Sequence, residues 1–487
     1  MRQTILLALI IVAFVLNSGT ARAEGSVRIS LDNSGGPLTG GSGSATAPSS
    51  VDDSGNLVAF ESIAAASGID TNSTADVFVR LLDEGANELI SGTDEGKPGN
   101  NSSTNPSVSG DGRFVSFQSL ASDLIEGDTN SVPDIFIRDR ETDLTGRISA
   151  VEGEPNGASS APSMSRDGQV AAFCSTASNL TAGDDNGASD LFLAQTSAVQ
   201  IVRITPTDDP IGGCVRTAIN DDGSVVVFSS VADAGDGRQI GHVYQHDVAS
   251  GETIRVSSAE GSDGNGGSGL LSLSLSADGT VAAFDSAATN LADGDGNGAS
   301  DVFVWESDGG SISRVSQTKD GVEGNADSGT LGVAISGDGN WVVFASQADN
   351  LLPGDVNAAA DIFRHDRTSG MLTLVSADVA DRAANGPSYS PAVSNDGNTV
   401  VFASLASNIA FGDRNKNPDV FLRSGNFPET AGSGEAPSPT ATAGQIFDIT
   451  PPGDSGIPTP VLIGLGAAAG LAALAGSWYL LGRRPQA

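Results

Sequence analysis

Pro106-Ser107-Val108-Ser109-Gly110-Asp111-Gly112-Arg113-Phe114-Val115-Ser116-Phe117 is one copy of a phrase whose skeleton returns seven times along the chain. Its Asp111-Gly112 pair is a hairpin signal, because glycine enters the positive φ that a two-residue turn requires. The anchoring glycines are Gly55, Gly112, Gly168, Gly223, Gly279, Gly339 and Gly397, spaced by 57, 56, 55, 56, 60 and 58 residues. Five residues after each stands Phe60, Phe117, Phe173, Phe228, Phe284, Phe344 or Phe402. A second aromatic follows in every unit: Phe78, Phe136, Phe192, Tyr244, Phe303, Phe363 and Phe421. Thirteen of the 18 phenylalanines thus occupy two repeat positions, so one supersecondary unit is repeated.

Each unit reads as four short strands: a Pro-Ser-Val-Ser type, a Phe-Val-Ser-Phe type, an Asp-Ile-Phe-Ile-Arg type and a Gly-Arg-Ile-Ser type, as in Gly146–Ser149. The second and third are apolar on both faces, as a sheet packed between two others requires. Units this small cannot bury two apolar faces alone, so they must stack. The expected fold is all-β, a seven-bladed β-propeller over residues 24–426. Repeat seven ends after Phe421-Leu422-Arg423 without a fourth strand, while Val27-Arg28-Ile29-Ser30 stands unpaired before repeat one. The N-terminal strand is therefore expected to complete the last blade and close the ring, which removes exposed sheet edges.

Units of the form Pro-Ser-x-Ser-x-Asp-Gly-x-x-Val-x-Phe, then Asp-Val-Phe, then Arg-Val-Ser, resemble the TolB-type, WD-repeat-like propeller family, from Ser26 to about Arg423. The resemblance implies the fold. The family's usual Ser-Pro-Asp-Gly is altered, since the proline position holds Gly110, Arg166, Asp221, Ala277 or Gly337. TolB's additional N-terminal domain has no counterpart, and its partner does not carry over with the fold.

The two ends read differently from the middle. Residues 1–23 combine Arg2, an apolar run from Ile5 to Leu16 and a closing Ala21-Arg22-Ala23, the pattern of a cleaved secretory signal. Residues 427–460 are rich in Pro, Ser, Thr and Gly, a flexible stalk. Val461–Leu481 is an uncharged stretch of 21 residues, long enough as a helix to span a bilayer. Arg483 and Arg484 follow it, so residues 482–487 are expected to be cytoplasmic and the propeller extracytoplasmic. Processing of this tail by an anchoring enzyme is the alternative, though Ile457-Pro458-Thr459-Pro460 completes no sortase-type motif. Loss of a signal carrying Arg2, Arg22 and no acids takes the net charge from −36 to −38, which argues against nucleic acid as a partner.

The extra length of each unit lies between strands two and three, around Asp-x-Asn-x-x-x-Asp. The copies are Asp70/Asn72/Asp76, Asp128/Asn130/Asp134, Asp184/Asn186/Asp190, Asp295/Asn297/Asp301, Asp355/Asn357/Asp361 and Asp413/Asn415/Asp419. Oxygen ligands so spaced suit calcium. The same residues also build turns without metal by bonding their own backbone. Repeat four keeps Asp236 but has Arg238 and His242 at the other two places, so the turn forms without the full ligand set. Cys174 and Cys214 are the only cysteines; exported chains permit a disulfide, but Cys174 lies mid-strand and Cys214 precedes its strand, and buried free thiols are the alternative.

No catalytic constellation emerges. His246 and His365 share a repeat position with Arg80 and Arg138 and read as exposed, interchangeable residues, and His242 with His246 makes at best a weak metal pair. No Gly-x-Ser-x-Gly elbow or hydrolase domain accompanies the propeller. The long two–three and four–one connections emerge on one side of a meander, so one disc face is expected to be acidic and loop-rich. The functional expectation is a non-catalytic, surface-displayed propeller binding a protein, peptide or glycan. A calcium-supported adhesion or envelope protein is the alternative.

Overall fold

In every repeat the two aromatic positions meet across the middle of a sheet. The computed structural model describes residues 25–44, 49–150, 153–197, 200–205, 213–233, 239–259, 261–425 and 427. Phe117 is the direct cross-strand partner of Phe136, with ring centroids 5.9 Å apart. The same pairing runs from Phe60–Phe78 to Phe402–Phe421. These rings are sealed between neighbouring sheets, and the second strand Leu57–Ser62 is buried at every position. Burial on both faces is why these strands lack the usual alternation of apolar and polar residues.

Blade two shows the unit: Ser103–Val108, Phe114–Ser119, Asp134–Asp139 and Leu144–Arg147, four antiparallel strands in sequence order. Seven such sheets form, and a two-stranded ribbon, Ser258–Ala259 with Ser262–Asp263, is added among the described residues. The first strands line a central channel of about 250 Å³ to which every blade contributes, from Ser50 in blade one to Ala392 in blade seven. Blade seven combines Ser388–Val393, Thr399–Ser404 and Asp419–Ser424 with the N-terminal strand Gly25–Arg28. Gly25 pairs with Ser424 and Arg28 with Phe421, so the chain closes on itself as its repeats imply.

The Asp-Gly turns serve the ring as well as the hairpin. Gly112 has φ 72°, and a Cβ there would lie 2.8 Å from Leu57 of the preceding blade. At Gly397, φ is also 72° and a Cβ would meet Trp341 at 2.1 Å. Glycine is required for both the backbone and the close approach of blades.

Polar bonds stitch the first strands together around the channel. Ser50, Ser107 and Ser274 accept the amides of Val108, Met164 and Ile335 in the next blade at 3.0–3.1 Å. Two residues beyond the end of the strand, the amides of Gly110, Asp221 and Ala277 donate to the carbonyls of Arg166, Ala277 and Gly337 at 2.7, 3.0 and 2.9 Å. Proline at these positions would have no N–H to give, which accounts for the altered Ser-Pro-Asp-Gly.

Cys174, in Val170–Ser175 of blade three, and Cys214 form a disulfide. Cys214 lies inside the first strand of blade four, Gly213–Ile219, rather than before it. The two meet because adjacent blades bring strand two of one against strand one of the next. The bridge closes a loop of 40 residues. Reduction is therefore expected to cost about 4 kcal/mol by the chain-entropy argument. Thermal unfolding with and without reductant checks it, with unfolded alkylated mass confirming the thiol state.

Phe427, placed by its composition in the stalk, is buried beside the propeller with the Arg364 guanidinium 4.2 Å from its ring. The expected signal at 1–23, the rest of the stalk, the membrane helix at 461–481 and the tail at 482–487 lie outside the described residues.

Candidate functional site

Among the described residues, the long connections of a blade meet on one face. In blade two, the Asn130 amide, from the two–three loop, donates to Pro155 O in the four–one loop at 3.2 Å. In blade one, Asn72 does the same to Gly99 O at 2.9 Å. Every acidic-loop residue singled out by its spacing therefore sits on the loop-rich side of the ring.

Within the loop, each residue has a definite bonding role. The last aspartate heads strand three and accepts a hydroxyl from strand four: Ser91 to Asp76 at 2.6 Å, Ser149 to Asp134 at 2.7 Å, Ser316 to Asp301 at 2.6 Å, Ser376 to Asp361 at 2.6 Å and Ser30 to Asp419 at 2.6 Å. Thr205 plays this part for Asp190. The asparagine oxygen accepts the amide two residues on, as Asn130 does from Val132 at 3.0 Å and Asn357 from Ala359 at 2.9 Å. Its NH2 turns toward the aspartate in four copies, at 3.0 Å in Asn130–Asp134, 3.1 Å in Asn186–Asp190, 2.6 Å in Asn357–Asp361 and 3.2 Å in Asn415–Asp419. Asn297 spends its NH2 on Gly324 O at 2.7 Å. In this pose the asparagine closes a turn rather than offering oxygen to a cation.

An arginine from strand four occupies the space between the two aspartates in several blades. Arg147 Nη1 lies 3.6 Å from Asp128, 3.2 Å from Asp134 and 3.0 Å from Glu154. Arg203 Nη1 is 3.0 Å from Asp184 and 3.6 Å from Asp190. In blade seven Arg28 reaches Asp413 at 3.1 Å and Asp419 at 3.6 Å. In blade five Arg314 Nη1 is 3.4 Å from Asp301 and 3.0 Å from Glu323, and its charge opposes the rise that burial causes at Asp295. Asp128, Asp134 and Glu154 gather within 4.8 Å of one another, as do Asp295, Asp301 and Glu323. Burial raises Asp128 to about 6, with Asp134 adding and Arg147 opposing. The arginines were not among the residues singled out by spacing. Their signal was the second residue of the Gly-Arg-Ile-Ser strand.

In blade four, Asp236 and Arg238 lie outside the described residues. His242 is buried with Nδ1 3.4 Å from Ser257 Oγ, and burial lowers its pKa. His246 and His365 are not exposed, contrary to the reading from their shared position with arginines. Both are buried, as are Arg80 and Arg138, because strand four and the neighbouring blade cover this end of strand three. His246 Nδ1 pairs with Thr253 Oγ1 at 2.8 Å, and burial takes His365 down to about 4.

One further buried acid sits in strand two of blade one. Burial lifts Glu61 to about 7, against opposing bonds from Ser44 and the Asn105 amide, and its Oε2 has no hydrogen-bond partner. An acid raised in the fold takes up its proton there first, so stability falls as pH rises from about 4.5 to about 7 and stays low above. Glu61→Gln should raise stability at pH 8 by about 1–3 kcal/mol and leave it unchanged at pH 4. Denaturant melts at both pH values check the sign.

No family model and no curated protein matches this sequence. Solved structures do. Oligogalacturonate lyase from Vibrio parahaemolyticus aligns over 83% of this chain and 94% of its own, at 11% identity and TM-score 0.49. TolB from Acinetobacter baumannii covers 79% of this chain and 86% of its own, at 14% identity and TM-score 0.37. A putative TolB from Agrobacterium tumefaciens covers 66% and 89%, at 14% identity and TM-score 0.37. TolB-type propellers, which the repeats resemble, are thus among the solved structures to which this chain is similar. The propeller itself stands on the seven four-stranded sheets.

Proposed function

We propose that this chain is an exported, membrane-held propeller that binds a protein, peptide or glycan on its loop-rich face and performs no chemistry there. The observation that carries this reading is an arc of exposed apolar side chains on the loops of blades six, seven, one and two. Phe411 is 90% exposed and Val356 86%, and Ile63, Ile69, Leu120 and Leu405 accompany them. Apolar side chains clustered on an otherwise polar, charged surface mark an interaction site. The matching loop positions of blades three and five hold Thr176 and Ala287 in place of Ile63, Leu120 and Leu405. The histidines support the non-catalytic part, since all three are buried within blades.

The test is capture by the immobilised full chain compared with a Phe411→Ala, Val356→Ser variant. Loss of captured ligand on the variant, with its melting transition intact, supports the reading. Equal capture by both would overturn it. Turnover of a captured glycan or peptide would overturn the non-catalytic part.

A further inference from the structure

We propose that blades one and six each hold a hard divalent cation, calcium by the chemistry of its ligands, between Asp70 and Asp76 and between Asp355 and Asp361. The inference is independent of the apolar arc and of what binds there. It starts from six copies of one element. In blades two, three, five and seven, strand four places an arginine two residues before the hydroxyl that bonds the last aspartate: Arg147, Arg203, Arg314 and Arg28. Each guanidinium is itself buried and salt-bridged to those acids. In blades one and six the same strand position holds Leu89 and Leu374. Both leucines are turned into the core, at 8% and 0% exposure.

The exchange extends to a second position. Glu154 and Glu323, which join the arginine in blades two and five, stand two residues before Asn156 and Asn325. At that offset blades one and six have Pro98 and Ala383. The resident positive charge and its third acid are therefore both absent, while the two aspartates remain. Four sibling blades show that this pair is a seat for a cation, and a leucine brings neither charge nor donor to it.

Each pair also holds a buried oxygen that no donor reaches. Asp76 is fully buried, yet its Oδ2 has no hydrogen-bond partner. Asp355 is 6% exposed, and its Oδ1 also has none. Like charge compounds burial: Asp70 and Asp123 push against Asp76, Asp349 against Asp355, and Asp355 against Asp361. Two buried carboxylates left side by side are costly unless something positive pairs them. A proton can neutralise one acid, whereas a divalent ion answers both. Neither pair has a sulfur or imidazole beside it in its motif, so an oxygen-seeking ion is the match. Two carboxylates cannot fill six to eight positions alone. Loop carbonyls and water supply the rest, which places the affinity at a Kd on the order of 10⁻⁴–10⁻³ M.

Full-length chain stripped with chelator and titrated with calcium chloride tests this by calorimetry and by thermal unfolding. The expected result is close to two ions per chain, with Tm rising by about 3 °C at calcium tenfold above Kd. Leu89→Arg restores the sibling blades' arginine and should remove one ion; Leu374→Arg should remove the other. Should an inserted arginine unfold a blade, the near-isosteric Asp76→Asn and Asp361→Asn serve instead, with circular dichroism confirming the fold. No heat and no Tm shift up to about 10 mM calcium overturns the proposal. So does calcium binding retained when Leu89→Arg is combined with Leu374→Arg and when Asp76→Asn is combined with Asp361→Asn, and so does a Tm that responds to pH but never to calcium.

Discussion

Deleting Glu24–Leu31 should leave a chain with no cooperative thermal transition. The deletion removes the outer strand of blade seven and uncovers Asp419–Ser424 as a bare edge. It also strips three buried groups at once. Ile29, 2% exposed, belongs to the core cluster that joins blade seven to blade one through Val420, Leu422, Val58 and Phe60. Ser30 gives its hydroxyl to Asp419 at 2.6 Å, and Arg28 neutralises Asp413 and Asp419. Losing a buried isoleucine side chain costs about 2–5 kcal/mol. Stranding buried carboxylates costs about 3–5 kcal/mol more. Together these rival the whole stability of a typical domain, about 5–15 kcal/mol. A melting curve by circular dichroism settles the matter: a sharp transition close to that of the intact chain would show that closure is dispensable. Adding Gly25–Leu31 as a synthetic peptide should restore the transition in part.

Arg147→Met should destabilise blade two by about 3–5 kcal/mol at pH 8. Methionine keeps most of the volume but leaves Asp128, Asp134 and Glu154 facing one another without a cation. Burial already raises Asp128 to about 6 with Arg147 opposing, so without the guanidinium this acid is protonated still more readily in the fold. The cost is therefore complete above neutral pH and fades as pH falls toward 5. Adding Asp128→Asn should recover part of the loss, and the double-mutant coupling energy should exceed about 0.5 kcal/mol. Urea melts of the three variants at pH 5 and pH 8 provide the measurement. A loss that is equal at both pH values would mean that Arg147 acts through packing of its stem.

The architecture was legible because its core is written in two aromatic positions per repeat, and a phenylalanine such as Phe117 has one place to go in a stacked sheet. Closure by Val27–Ser30 was legible for a similar reason: a missing fourth strand at one end matched a surplus one at the other. The acidic loops were found, but their partners were not. Arg147 stands 13 residues beyond Asp134, past a hairpin, so no spacing rule within the loop reaches it. His246 and His365 were misjudged because arginine at the same position suggested solvent, whereas Arg80 and Arg138 are buried. The disulfide was left open because pairing of Cys174 with Cys214 depends on how neighbouring blades dock, which no single repeat encodes.

The strand that receives the N-terminal segment also sets the side of the ring on which Phe427 lies. Strand three of every blade runs from the acidic loops toward the hairpin side, so Asp419–Ser424 delivers the chain to the side opposite Phe411. Phe427 pins it there beside Arg364 and Arg423. Phe427 and the Phe411 loop therefore lie on opposite sides of the ring. Blade seven is the seam of the ring, where Ser30 and Asp419, 389 residues apart in sequence, share a hydrogen bond.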